Sequence, residues 1–355
     1  MASTTPKVND PTFRSYSADQ AKVYASHRAG YNAAIYKVIF DHHTAAGGHY
    51  DLVLDCGCGP GNATRELALK FDQAIGVDAG SSMIERARAI GGKTKSGADI
   101  KFELATGETF SKLEGLEPGS VDMLTVASMD FLIFVFTILY DILAVHWFEM
   151  DKFYAEAAKV LKPGGTLALW TRGKCAPTQR VQLAKFVQYP GFHVCFALAL
   201  LIHLLTISDP DETNSKKLKE IVNHFEYQVI RAFEEPGNRL SRDLYDKLPL
   251  PWNVSPPVSE FSKANFVKHD YDRDGVLSNG KSFFGGEQAT KLGDMEKALA
   301  TSSMVTRWKE ANPDLAGTEK DCVKVVINQL REALGGKDEC LLGPATTILL
   351  FNKSA

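Results

Sequence analysis

The sequence predicts an α/β protein built on a doubly wound, mostly parallel sheet. Apolar strand-like runs alternate with helical patterns between residues 46 and 171. The first of these runs, Leu52–Leu54, passes through a glycine-rich turn directly into a helical pattern, and the next run ends on the acid Asp78. Ligands bind at the carboxyl ends of the strands in such sheets, so we expect the functional site at that edge.

The glycine-rich turn predicts a site for an adenosine-type cofactor. Gly57, Gly59 and Gly61 have no side chains, so backbone N–H groups in the turn can approach a ligand closely. Asp78 follows Gly57 by 21 positions, where a carboxylate can bind ribose hydroxyls. The dinucleotide fingerprint G-x-G-x-x-G fails, because its third glycine position holds Asn62. A nicotinamide-dependent dehydrogenase therefore remains the weaker alternative.

The spacing D-x-G-x-G-x-G, which starts at Asp55, resembles motif I of the class I S-adenosylmethionine (SAM) methyltransferases. The resemblance implies that the glycines approach the methionine part of the cofactor and that Asp55 helps to bind its amino end. It also implies that Asp78 binds the ribose, that Met83 is an apolar neighbour and that Thr106 lies at the adenine. The implied cofactor-binding residues in this part of the chain are Asp55, Gly57, Gly59, Gly61, Asp78, Met83, Thr106 and Gly107.

A helix is predicted ahead of the first strand, from Ser17 to His42. Its Tyr24-x-x-x-Arg28-x-x-Tyr31 pattern places three large side chains on one face. Packing of an amphipathic helix on the sheet explains this pattern by itself. Many small-molecule methyltransferases carry a similar helix over the SAM pocket, and this resemblance adds Tyr24 and Arg28 to the predicted cofactor contacts.

The later strand patterns complete the predicted sheet. L-K-P-G-G before the strand-like run Thr166–Thr171 is another methyltransferase feature. The resemblance implies a seven-stranded, Rossmann-like sheet whose last strand, Ala345–Phe351, is antiparallel and pairs with a strand near Asn265–Tyr271, with helical insertions over the pocket. The predicted division of the chain is an N-terminal cap region (1–45), a SAM-binding core (46–171) and a helical cap and substrate region (172–355).

Two apolar runs, Met129–Leu143 and Val194–Ile207, need a separate explanation. A bilayer-spanning helix needs about 20 apolar residues, and neither run reaches that length uninterrupted. Each run is a buried element, an apolar lid that touches a greasy substrate or a membrane surface, or inserted sequence such as a retained intron. The third interpretation comes from fungal relatives of the trans-aconitate methyltransferase type, in which strand four runs almost directly into a segment like Ala144–Phe148. Membrane contact is the less favoured interpretation.

The candidate catalytic residues follow the fourth strand. Methyl transfer from a sulfonium is an in-line displacement, so alignment and desolvation can supply much of the catalysis. His146 is placed to bind an acidic acceptor or to accept a proton. Trp147 is placed to line the path along which the methyl group is transferred. Arg28 and Arg172 are the cations nearest the predicted pocket. Each of these residues also has a purely structural interpretation.

Composition limits the partners and the compartment. The chain of 355 residues has a formal net charge of −3, so it offers no basic field for nucleic acid, and a small-molecule substrate is expected. The N-terminus lacks the pattern of a signal peptide, and none of the six cysteines forms a C-x-x-C pair. We expect a cytoplasmic protein with free thiols and no metal site. The sequence does not indicate the oligomeric state.

These patterns favour a SAM-dependent methyltransferase of class I, similar to the fungal trans-aconitate methyltransferase group. The implied acceptor is a small molecule, with a carboxylate such as trans-aconitate as the example. Two alternatives remain open. One is a non-catalytic SAM-binding or membrane-associated protein whose site is disturbed by the run 129–143, and the other is an NAD-dependent dehydrogenase.

Overall fold

The computed structural model describes most of the chain, with several gaps. Four of the predicted site residues lie outside the described residues, namely Tyr24, Arg28, His146 and Trp147. The second apolar run and all but the first residue of the run 129–143 also lie outside them. The described ranges are 31–129, 148–178, 210–234, 236–273, 276–280, 282–286, 288–300 and 302–354.

Eight strands in the described part of the chain form one sheet. In chain order they are β1 (Leu52–Cys56), β2 (Gln73–Asp78), β3 (Lys101–Leu104), β4 (Val121–Met129), β5 (Leu161–Thr178), β6 (Phe261–Tyr271), β7 (Gln288–Lys291) and β8 (Glu339–Lys353).

The sheet has the doubly wound order β3-β2-β1-β4-β5-β8-β6. Neighbouring strands from β3 to β5 are parallel, whereas β8 runs antiparallel to both β5 and β6. The predicted seven-stranded, mostly parallel sheet is therefore confirmed, including the pairing of the last strand with the strand near residues 265–271. The short β7 adds an eighth strand by pairing with the start of β8.

Helices cover both faces of this sheet. In the described part of the chain they are α1 (Ala33–Ala45), α2 (Asn62–Ala68), α3 (Ser81–Ile90), α4 (Met150–Val160), α5 (Pro210–His224), α6 (Pro236–Arg242), α7 (Leu292–Ala300), α8 (Ser303–Ala311) and α9 (Cys322–Ala333). One apolar core joins one sheet face to α1–α3, and a second joins the opposite face to α4. A third core lies among α5 and α7–α9. Within the described residues, no helix combines the length and the apolar character needed to cross a bilayer.

The first described helix begins later than the sequence pattern predicts. Tyr31 and Asn32 are not helical, so the predicted continuous helix from Ser17 to His42 is wrong at this point. The Asn32 side chain accepts a hydrogen bond of 2.9 Å from the backbone N–H of Ala34 and caps the new helix. Tyr31 consequently precedes α1 instead of lying on its face.

The predicted turn at Lys162–Gly165 is part of the β4–β5 pairing. Val121 lies opposite Leu161 and Met123 lies opposite Thr166, so one residue of β4 faces four residues of β5. This insertion is a bulge, and Gly164 takes the left-handed conformation within it (φ 75°). Helix α4 thus passes directly into β5, which continues to residue 178, beyond its predicted end at residue 171.

Candidate active site

The glycine-rich turn connects β1 to α2 at the carboxyl edge of the sheet. Gly57, Gly59 and Gly61 all have positive φ angles, of 72°, 54° and 85°. Side chains rarely tolerate this conformation, so each position favours glycine. The backbone N–H groups of Gly57 and Cys58 both donate to the Val77 carbonyl, at 2.7 and 2.9 Å, and hold the turn against β2. The turn is thereby fixed beside β2, with Gly57 half-buried and Gly59 and Gly61 buried.

Asp55 lies beneath this turn and is fully buried. The hydroxyls of Thr64 and Thr125 each donate to one of its carboxylate oxygens, at 2.6 and 2.8 Å. Burial raises the pKa of Asp55 to about 6 although these two hydrogen bonds favour the charged form, and the negative charge of Asp78 raises it further. The site therefore holds a costly negative charge that a bound cation would stabilise.

Asp78 joins the glycine-rich turn to the turn after β2. Its two carboxylate oxygens accept hydrogen bonds of 2.8 Å from the backbone N–H groups of Gly59 and Gly80. Burial raises the pKa of Asp78, and these N–H groups act in the opposite direction. Each oxygen has a second lone pair, so the carboxylate can still accept hydrogen bonds from hydroxyl groups of a ligand.

The other predicted cofactor contacts lie along the neighbouring strand ends. Met83 is buried on α3. The backbone N–H of Ala105 donates to the Asp78 carbonyl at 3.1 Å, which places the turn after β3 beside Asp78. Within that turn, the Thr106 hydroxyl accepts from the Glu108 N–H, and Gly107 lies under the ring of Phe148. A Cβ at Gly107 would come within 2.7 Å of that ring.

The structure therefore brings the described cofactor candidates together around three strand ends. Asp55 belongs to β1, Asp78 ends β2, and Thr106 and Gly107 follow β3. The predicted cation Arg172 lies farther along the same edge, in β5, and is half-buried. Among the described residues, no group of three or more His, Cys, Asp or Glu side chains is arranged to hold a metal ion.

Sequence reasoning missed two pairs of residues at this edge. Thr64 and Thr125 fix the Asp55 carboxylate, and the β1–β4 register places Thr125 directly opposite Asp55. Aligning the predicted strands β1 and β4 could have indicated that Thr125 lies beside Asp55. Tyr36 and Trp170 form the second pair, with ring centroids 6.3 Å apart in an edge-to-face arrangement. Both have the pattern of ordinary core residues, so the sequence carries no signal for them.

Comparison with known proteins gives a consistent assignment for the core. Residues 53–165 match a family model described as a methyltransferase domain. The chain is 32% identical over 169 residues to a Dictyostelium discoideum protein named as a methyltransferase, covering 48% of this chain and 52% of that protein. It is 30% identical over 172 residues to methyltransferase cfoB of Aspergillus candidus, covering 48% of each. The chain thus spans about half the length of the curated relatives it matches.

A solved structure supports the fold over nearly the whole chain. It is a protein of Anaeromyxobacter dehalogenans named as a type II methyltransferase, with a TM-score of 0.53 and 20% identity. The similarity covers 92% of this chain and 97% of that one. The comparisons do not favour the dehydrogenase or the non-catalytic alternative. The chain has a Rossmann-like fold of the class I methyltransferase type, and its residues 53–165 match a methyltransferase-domain model.

Proposed function

We propose that the protein transfers a methyl group from SAM to a small-molecule acceptor. The observation that carries this proposal is the arrangement of Asp55, the left-handed glycine turn and Asp78 at one sheet edge. Bound SAM supplies a methyl group that its sulfonium already activates for displacement by a nucleophile. The protein then has to hold the cofactor, align the acceptor and exclude water.

The residues at this edge fit the cofactor chemically. The three glycines leave the turn free of side chains where the methionine part would lie. The negative charges of Asp55 and Asp78 complement an ammonium and a sulfonium group. We assign Asp78 to the ribose hydroxyls, Met83 to an apolar contact and the turn at Thr106 and Gly107 to the adenine.

The residues that lie outside the described chain complete the proposal. Tyr24 and Arg28 are proposed to cover the cofactor, and Arg28 is also a candidate for binding the acceptor. His146 and Trp147 follow β4 in the sequence, where they would bind or deprotonate the acceptor and wall the methyl path. The division into a cap region (1–45), a cofactor-binding core (46–171) and a substrate region (172–355) belongs to the same proposal.

We propose a carboxylate such as trans-aconitate as the acceptor. The support is the resemblance of the segment Ala144–Phe148 and its place after strand four to the fungal trans-aconitate methyltransferases, together with Arg172 at the β5 end of the edge. A carboxylate needs no base to act as a nucleophile, and it needs only cationic or hydrogen-bonding partners.

Transfer of radiolabelled methyl from SAM to small acids tests this proposal. Trans-aconitate, citrate and fumarate are supplied separately, and the ester product is extracted and counted. We expect label in at least one ester, and at least about 10-fold less with the Asp78→Asn variant at subsaturating SAM, because that variant weakens the cofactor site. Binding of NADH but not of S-adenosylhomocysteine would overturn the proposed function.

A further inference from the structure

Two buried hydrogen-bond donors beside the proposed cofactor site have no acceptor among the described residues. They are the Tyr36 hydroxyl and the Trp170 indole N–H. Tyr36 is 7% exposed and Trp170 is 0% exposed, so water does not reach either side chain freely. Buried polar groups are nearly always hydrogen-bonded, because burial of an unpaired donor costs free energy. Two neighbouring exceptions therefore point to a ligand.

The two donors lie together on one face of the sheet. Tyr36 belongs to α1, and Trp170 belongs to β5, where it pairs with Ile348 of β8. The ring centroids of Tyr36 and Trp170 are 6.3 Å apart, and Tyr31 lies edge-on to Trp170 at 5.4 Å. The three rings form an aromatic wall between α1 and the sheet.

Further polar side chains continue this face toward the carboxyl edge of β5. Arg172 lies two residues after Trp170, on the same face, and pairs with Thr346 of β8. The Thr346 hydroxyl is fully buried and also has no partner among the described residues. Gly285 lies over it, and a Cβ there would come within 2.6 Å of the hydroxyl oxygen. The face thus offers three buried donors and one cation.

Tyr36 lies within electrostatic range of Asp55, the residue proposed to bind the amino end of SAM. Burial raises the pKa of Tyr36, and the neighbouring Tyr31, Asp55 and Glu66 raise it further. Tyr36 therefore stays protonated and donates its hydrogen. Indole N–H and guanidinium groups can only donate, and with the two hydroxyls as donors the complementary ligand group is an acceptor with negative charge.

We propose that Tyr36, Trp170 and Thr346, together with Arg172, form a carboxylate-binding subsite. This inference rests on the proposed function and specifies the chemistry of the same site. A carboxylate suits the subsite because its two oxygens accept several hydrogen bonds at once. Two sources carry that group, namely the methionine end of the cofactor and an acidic acceptor.

Conservative variants separate the donors from the packing around them. Tyr36→Phe, Trp170→Phe and Thr346→Val each remove a donor and keep an apolar side chain. Tyr50→Phe is the matched control, because the Tyr50 hydroxyl is hydrogen-bonded to Thr44 and to the Phe40 carbonyl. Calorimetry measures the affinity of each variant for S-adenosylhomocysteine and then for 5′-methylthioadenosine, which lacks the amino-acid part. Trans-aconitate, citrate and fumarate are each titrated into the S-adenosylhomocysteine complex.

Loss of one donor to a charged acceptor should weaken carboxylate binding by about 10- to 100-fold, and Tyr50→Phe should have no such effect. If the variants bind S-adenosylhomocysteine more weakly but bind 5′-methylthioadenosine as the wild type does, the carboxylate is that of the cofactor. If they bind only the small acids more weakly, the carboxylate is that of the acceptor. Unchanged binding of all of these ligands by Tyr36→Phe and Trp170→Phe would overturn the subsite.

The melting temperature of the ligand-free protein gives a second readout. Tyr36→Phe removes an unpaired donor and should melt at the wild-type temperature or above it, whereas Tyr50→Phe removes paired hydrogen bonds and should melt lower. A drop for Tyr36→Phe as large as that for Tyr50→Phe would contradict the subsite. If the wild type binds no S-adenosylhomocysteine, the proposed function fails, and titration of the three small acids into the ligand-free wild type and Tyr36→Phe then tests the subsite separately.

Discussion

Replacing Asp55 by Asn should change the stability of the protein in a pH-dependent way. The Asp55 carboxyl is fully buried, and its pKa rises from 3.8 in the unfolded chain to about 6 in the folded protein. One pKa unit corresponds to about 1.4 kcal/mol, so the buried charge costs the fold about 3 kcal/mol once the group is fully ionised. The Asn side chain carries no such charge and can hydrogen-bond with the hydroxyls of Thr64 and Thr125.

The sign of this pH dependence follows from the number of protons that Asp55 binds in the folded and in the unfolded protein. Between pH 3.8 and about 6 the folded protein binds more protons at Asp55 than the unfolded chain does. Stability therefore falls as the pH rises through this window, and the loss is complete above it. The cost is about 1 kcal/mol at pH 4.5 and about 3 kcal/mol at pH 7.5. The stability of Asp55→Asn relative to the wild type should thus be about 2 kcal/mol more favourable at pH 7.5 than at pH 4.5.

Urea unfolding of both proteins at these two pH values measures the difference. Asp51→Asn is a suitable control, because Lys162 lowers the pKa of the exposed Asp51 and leaves that group ionised at both pH values. Its effect on stability should be the same at pH 4.5 and 7.5. An Asp55→Asn effect that is also independent of pH would refute the reasoning. The same variant should weaken SAM binding, because it removes the charge that a bound cation would stabilise.

Three further predictions concern the cofactor loop and the helical cap. Asp78→Asn should weaken S-adenosylhomocysteine binding by at least about 10-fold in calorimetry, since it removes a charged acceptor, and unchanged affinity would exclude the ribose assignment. Gly61→Ala and Gly115→Ala both place a side chain at positive φ, but only the Cβ added at position 61 would meet another side chain, at 2.6 Å. Gly61→Ala should therefore cost about 1–3 kcal/mol more in urea unfolding, and equal losses would contradict the steric explanation. Arg242→Met should lower the free energy of unfolding by about 3–5 kcal/mol, because it leaves the buried Glu226 carboxylate without the guanidinium that lies 2.6 Å from it. Adding Glu226→Gln should restore part of that loss. A loss that Glu226→Gln does not relieve would show that the pair is not the cause.

The part of the fold that could be predicted from sequence is the part fixed by local chemistry. The segment from β1 through the glycine turn to β2 follows from an apolar run, three glycines and a terminal acid within 27 residues, 52–78. The same locality explains why Asp55 and Asp78 could be named in advance. The structure shows these groups together because the strands are parallel and adjacent.

Features that depend on long-range pairing could not be predicted. In the sequence, Tyr36 and Trp170 have the pattern of core residues. Their rings lie near each other only because α1 packs across β5. The start of α1 at Ala33 depends on a single Asn32 side chain, which interrupts a periodic pattern that otherwise continues. The bulge at 162–165 likewise depends on its register with β4, which Pro and Gly in the sequence do not specify.

Calorimetric titration of S-adenosylhomocysteine tests the central claim most directly. It should be done on the full chain and on a version without Asp130–Leu143, since Met129 still belongs to β4. Saturable one-to-one binding by both proteins is the predicted result, and it would make the apolar run a tolerated insertion. Binding by the shortened protein alone would confirm the cofactor and show that the run blocks the site. A folded protein that binds S-adenosylhomocysteine in neither form would contradict the assignment of this glycine turn to SAM.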